Sequence, residues 1–251
     1  MKQISIAVAM SCLALTSVAG AQSVTAAGEP EWTFSANLSA VSEYRYRGIM
    51  QTNAKPAVQG GFDIAHRSGF YIGNWNSSIS WLSDADPEVS SSVEMDFYAG
   101  YVHQFSEQLS MDVGVLYYYY PGSYPGGFND PDTTEAYVGL TYGPVSFKYS
   151  HAFTDLFGAP DSKNSQYYDL SASVPTGIWD LNLDAHVGYQ KIRNMDDGSY
   201  TDWSLGLSRD FGPFSVSLAY IDTNADRDLY TNADGRYTGR AAAVLNLSAS
   251  F

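Results

Sequence analysis

The sequence predicts an all-β chain, a single transmembrane antiparallel β-barrel of about twelve strands with short periplasmic turns and long extracellular loops. Three observations predict it. Apolar and polar residues alternate with period two along most of the chain, which sends successive side chains to opposite faces of a strand. The connections alternate between short and long, as in bacterial membrane barrels. Charged residues are only 16% while aromatics reach 15%, 20 of them Tyr, against roughly 25% charged in soluble domains.

The elements follow in order. Met1-Lys2, the apolar run Ile4 to Val18 and Ala19-Gly20-Ala21 read as a secretory signal over residues 1–21, with its cleavage before Gln22. Residues 22–251 then form the barrel domain. Twelve strand segments are expected at 31–47, 56–66, 69–80, 92–104, 109–120, 134–143, 144–152, 165–175, 179–190, 200–211, 213–222 and 238–251. The last is the clearest: Ala241, Ala243, Leu245, Leu247, Ala249 and Phe251 share one face, and Asn246, Ser248 and Ser250 the other. Ten residues at about 3.3 Å each and a tilt near 40° rise ~25 Å, the height of an outer-membrane apolar band. The short turns include Arg67-Ser68, Gly143-Pro144, Thr176-Gly177 and Gly212-Pro213. The long loops are rich in Pro, Gly, Asp and Asn, as in Pro121 to Gly127. Tyr44, Tyr46, Trp75, Trp81, Tyr117 and Tyr119 lie near strand ends and are expected in the aromatic girdles.

Composition excludes several classes. With 13 Lys plus Arg against 27 Asp plus Glu, the formal charge is −14. A nucleic-acid partner, which needs a basic face, is therefore not expected. One Cys allows neither an intramolecular disulfide nor a thiolate zinc site. No nucleotide loop or His-Glu-x-x-His pattern is present, and neither a cofactor nor a metal is expected. The run Asp222-Thr223-Asn224-Ala225-Asp226 has alternating oxygen ligands, but Arg227 and Ala233 stand where an EF-hand needs Gly and Glu.

Parity assigns the interior. If the apolar set faces lipid, Glu43, Asp63, Glu94, Asp96, Asp112, Glu135, Asp169, Asp184, Asp202 and Asp210 face the lumen with Arg45, Arg47 and Lys148, ten acids against three bases. A water-filled lumen would relieve the penalty of desolvating them, and an acidic wall favours cations. The same charges could instead pair across the interior. Charge reversal at Asp96 or Asp184 is expected to shift ion selectivity. Of the four His, only His186 points inward, near Asp184; a His–Asp pair can act as a base, but no serine partner is locatable and no catalytic residue is assigned.

Ser42-Glu43-Tyr44-Arg45-Tyr46-Arg47-Gly48, followed by Lys55-Pro56-Ala57-Val58-Gln59-Gly60-Gly61, resembles the TorF family of proteobacterial porins. Ser68 to Trp75 and Glu94 to Tyr101 continue the likeness. The resemblance implies an outer-membrane channel and leaves its solute open.

The expected function is passive diffusion of small hydrophilic solutes or ions across the outer membrane of a Gram-negative bacterium, with cation preference. The pore-lining candidates are the thirteen residues Glu43, Arg45, Arg47, Asp63, Glu94, Asp96, Asp112, Glu135, Lys148, Asp169, Asp184, His186 and Asp202. Expected partners are outer-membrane lipid and lipopolysaccharide, and the barrel assembly machinery through the strand ending in Phe251. A closed structural or adhesive barrel with partner-binding loops is the second reading, and a barrel-embedded hydrolase the third.

Overall fold

A computed structural model describes residues 30–251; the export segment expected at 1–21 lies outside them. Twelve strands close into one antiparallel barrel. They are β1 (Trp32–Val41), β4 (Ala57–His66), β5 (Phe70–Ser78), β6 (Val93–Gln104), β7 (Leu109–Tyr119), β8 (Thr133–Tyr142), β9 (Val145–Ala152), β10 (Gln166–Pro175), β11 (Asn182–Lys191), β12 (Tyr200–Phe211), β13 (Phe214–Thr223) and β14 (Ala242–Ser250). Two further strands, β2 (Arg45–Tyr46) and β3 (Ile49–Met50), form a separate miniature hairpin. Each barrel strand pairs with its sequence neighbour in the barrel. β1 closes the ring on β14 in the register Leu38↔Ala249 and Ala40↔Leu247. Phe251 extends the seam, exchanging both main-chain hydrogen bonds with Ala36 at 3.0 and 2.9 Å. Closure leaves no unpaired strand edge, the condition for a sheet to sit in lipid.

The alternation sorts into an inside-out molecule. Phe34, Leu38, Phe62, Ile72, Val115, Leu140, Leu170, Leu205, Leu218 and Leu247 stand exposed on the outer surface, Phe34 at 69%. Ser39, Gln59, Glu94, Glu135, Asp169, Asp202, Ser217, Asn246 and Ser248 are buried on the other face. A continuous apolar exterior of this extent has hydrocarbon as its natural solvent. Aromatic rings mark both borders. Trp32, Phe70, Tyr142, Phe211 and Phe251 are exposed near the short turns. At the opposite end Tyr117 stacks on Tyr119 at 6.1 Å and Tyr168 on Tyr189 at 6.5 Å.

Eleven of the expected segments fall on barrel strands within a few residues. The first differs most. It ends at Val41 instead of continuing to residue 47, and the chain then turns into the barrel. Tyr44 and Tyr46 are consequently buried inside and do not belong to a girdle. Trp75 also points inward, 5.6 Å from the Tyr44 ring in an edge-on contact. Trp81 opens a short helix, α1 (Trp81–Ala85), beyond the end of β5. The last strand starts at Ala242 and the ninth segment at Asn182, each a few residues late.

Candidate functional site

The inturned segment organises the interior. Ser42 still pairs with β14, its amide donating to Leu245 O at 2.8 Å. The chain then leaves the wall. The Gln51 amide bonds Tyr44 O at 2.9 Å, and Thr52 Oγ1 accepts the Tyr44 amide at 3.1 Å, closing the base of the hairpin. Its turn is made by Arg47 (φ 47°) and Gly48 (φ 77°), two left-handed residues as in a tight two-residue hairpin turn. Gly48 is required twice over. Its φ disfavours side chains, and a Cβ there would stand 2.7 Å from Asp202 Cβ on β12.

From this tip the hairpin reaches across the barrel. Arg47 Nη2 donates to Glu135 Oε2 on β8 and Nη1 to Gln190 Oε1 on β11, both at 2.7 Å. Its guanidinium carbon lies 4.3 Å from the centre of the Tyr167 ring on β10. Tyr46 and Tyr118 (β7) share a hydroxyl–hydroxyl bond, and the Tyr118 hydroxyl also points to Glu135 at 3.4 Å. On β6, Glu94 accepts from Tyr44 at 2.7 Å and from Tyr120 at 2.8 Å. Arg45 pairs with Glu43 (Nε to Oε1, 2.5 Å). It also donates to the carbonyls of Gly48 (3.0 Å), Thr238 (3.2 Å) and Arg240 (2.7 Å), tying the hairpin to the last long loop.

A second cluster lies deeper. His186 (β11) bonds Asp202 Oδ1 through Nε2 at 2.8 Å and faces Asp169 Oδ2 through Nδ1 at 3.1 Å. Tyr167 donates to Asp202 at 3.0 Å and sits 3.2 Å from His186 Nε2; Ser171 donates to Asp169 at 2.7 Å. Towards the short turns the groups loosen. Asp63 accepts from Tyr98 at 2.6 Å, and Asp112 from Tyr71 at 2.7 Å. Lys148 Nζ stands 4.2 Å over the Tyr137 ring. These three charged groups are half-buried.

All thirteen predicted residues lie within the barrel, the ten on strands by parity and Glu43, Arg45 and Arg47 on the hairpin. The structure brings together Glu43 with Arg45, Arg47 with Glu135, and His186 with Asp169 and Asp202. Asp184 takes a hydroxyl from Ser173 at 2.7 Å, and its other oxygen has no partner. Asp96 is 0% exposed with neither oxygen hydrogen-bonded. Sequence reasoning missed the tyrosines and Gln190 that complete these contacts. The signal was available: Tyr98, Tyr118 and Tyr137 share the parity of Asp96, Asp112 and Glu135 on their strands. Among the described residues no cluster of three His, Cys, Asp or Glu could hold a metal. Asp226, in the calcium-like run, instead caps the amides of Asp228 at 2.8 Å and Leu229 at 3.2 Å.

The architecture is shared with solved porins. A "KdgM porin" superposes with a TM-score of 0.55 at 11% identity, covering 86% of this chain and 98% of that one. A "KdgM porin in complex with disordered oligogalacturonate" gives 0.53 at 10%, over 86% and 98%. A "NanC porin" gives 0.52 at 12%, over 87% and 99%. Identities this low establish the fold alone. No curated protein matches the sequence. A family model described as "Bacterial protein of unknown function (Gcw_chp)" matches residues 25–251, and the chain belongs to that family.

Proposed function

We propose that the protein is an outer-membrane channel for passive diffusion of small hydrophilic solutes, with a preference for cations. One observation carries the reading: the closed barrel is inside-out, apolar where it meets lipid and rich in carboxylates within. A surface that only anchored the chain would need no such interior. Buried acids are expensive unless paired or hydrated, and here Asp63 and Asp112 stay half-buried towards the short turns. Excess negative charge concentrates cations and repels anions. The TorF likeness, export by residues 1–21, a barrel domain over 22–251, Gram-negative outer-membrane residence and contact with lipopolysaccharide belong to the same reading. So does delivery by the barrel assembly machinery through the strand ending in Phe251.

Single-channel current across a planar bilayer under a salt gradient tests it. Discrete steps with a cation-selective reversal potential are expected. Folded protein that stays silent would overturn the channel reading.

A second reading, a closed structural barrel, is favoured by the hairpin, which contacts β6, β7, β8, β10, β11 and β12 at one level of the interior. The hydrolase reading is disfavoured by His186. Each ring nitrogen faces a carboxylate within 3.1 Å, and the Ser171 hydroxyl, 3.2 Å from Nδ1, donates instead to Asp169 at 2.7 Å, so the serine proton is not directed to the imidazole.

A further inference from the structure

The surroundings of Arg47 are those of a guanidinium receptor. A carboxylate (Glu135) and an amide oxygen (Gln190) each accept from a different terminal nitrogen at 2.7 Å, and an aromatic ring (Tyr167) lies 4.3 Å away. This is how planar, delocalised cations are recognised: forked hydrogen bonds at the edge, a π surface at the face. These three groups belong to the barrel wall, on three different strands, while the hairpin adds the Tyr46 ring, 4.8 Å from the guanidinium carbon. Tyr167 is held independently of the hairpin too. Its hydroxyl is anchored by Asp202 at 3.0 Å. It also lies over Gly188, where a Cβ would stand only 2.0 Å from that hydroxyl. The receptor is therefore built by the barrel, and the hairpin supplies the occupant. The same pairing of cation and ring recurs where Lys148 lies over Tyr137 near Asp112.

We propose that this pocket is a recognition site for solutes bearing a guanidinium group, filled in this conformation by the chain's own Arg47, and that such a solute competes with Arg47 and releases the hairpin. The role in transport rests on the channel reading; the binding does not. A tethered group acts at an effective concentration on the order of millimolar, so free ligand competes with the wild type in that range.

The test titrates methylguanidinium against sodium and tetramethylammonium, at equal ionic strength, into purified folded Arg47→Ala. Methylguanidinium is expected to raise the melting temperature by several degrees, the others to leave it unchanged. The double variant Arg47→Ala/Glu135→Gln is expected not to respond. Equal shifts for the three cations, or an undiminished response in the double variant, would overturn the site. In the wild type, which needs no variant to fold, methylguanidinium is expected to speed hydrogen exchange of amides 44–50 at least twofold; unchanged exchange would overturn the competition. A barrel that binds methylguanidinium but passes no current loses the channel reading and keeps the site. One that conducts and ignores methylguanidinium loses the site alone.

Discussion

The two ends of the barrel interior carry the same kinds of residue and treat them differently. At the long-loop end the hairpin packs into the interior, and Glu43, Arg45, Arg47, Glu94 and Glu135 are all buried. These five are held by partners: Arg47 by Glu135, Arg45 by Glu43, Glu94 by two tyrosines. At the short-turn end Asp63, Asp112 and Lys148 are half-buried, and the two acids are each held by a single tyrosine hydroxyl. Inward charge in a barrel is thus not one thing. At one end it is mortar between the hairpin and the wall; at the other it faces a space that solvent reaches.

That contrast is broken most directly at Arg47. Removing one partner of a buried ion pair leaves the other uncompensated, typically at a cost of about 3–5 kcal/mol. Arg47→Ala is expected to destabilise the barrel by that amount in urea unfolding from lipid vesicles, and to raise single-channel conductance by loosening the hairpin. A loss below about 1 kcal/mol would mean that the hairpin is not anchored through this pair. Gly48→Ala comes next. It forces a side chain into a left-handed conformation and against Asp202, and about 2 kcal/mol is expected from strain and overpacking. The same unfolding measurement checks it, with wild-type stability as the contrary result.

Asp96 sharpens the comparison by having the opposite sign. It lies in the packed half, its charged neighbours Glu94 and Glu135 are both acids, and neither of its oxygens is hydrogen-bonded. Neutralising an unpartnered buried carboxylate removes a penalty of about 1–3 kcal/mol. Asp96→Asn is therefore expected to stabilise the barrel where Glu135→Gln destabilises it. A destabilised Asp96→Asn would show that the carboxylate has an essential partner. The sequence alone led to a different expectation, that reversing Asp96 or Asp184 shifts ion selectivity. Both are buried, so their effect is expected on stability first.

The reason for that difference lies in what alternation encodes. Period two reports which face a residue takes, and it assigns the strand acids and Lys148 to the inner face because a closed sheet has only two faces. It does not report whether a face is wet. It also fails to distinguish a wall strand from an extended hairpin that has left the wall, since both alternate. Residues 42–47 continue the rhythm of β1 without a break. Only Arg47-Gly48, a pair that adopts two positive φ angles, marks the reversal, and nothing local says that the hairpin folds inward. Tyr98, Tyr118 and Tyr137 were legible by parity, whereas Tyr44 and Tyr46 continue the lipid-facing parity of β1, which is why they are expected in a girdle although they are buried. Gln190 carried no signal of its own; its partner is 143 residues away.

The smallest expected effect tests the open half. Asp112 accepts one hydrogen bond, from Tyr71, and lies near the Lys148 ammonium. Asp112→Asn keeps the shape and an acceptor for the tyrosine. It exchanges a charge-assisted bond for a neutral one of roughly half the strength, so less than about 1 kcal/mol of stability is expected to be lost. What changes is the field along the half-buried wall. With one negative charge gone and Lys148 less compensated, local cation concentration falls, and the reversal potential in a salt gradient is expected to move towards zero. The shift is expected to shrink at high ionic strength, because a charge in contact with solvent is screened and a buried one is not. If Asp112→Asn leaves the reversal potential unchanged while destabilising the barrel as much as Glu135→Gln does, the two ends are not different in kind. The short-turn half would then be mortar as well.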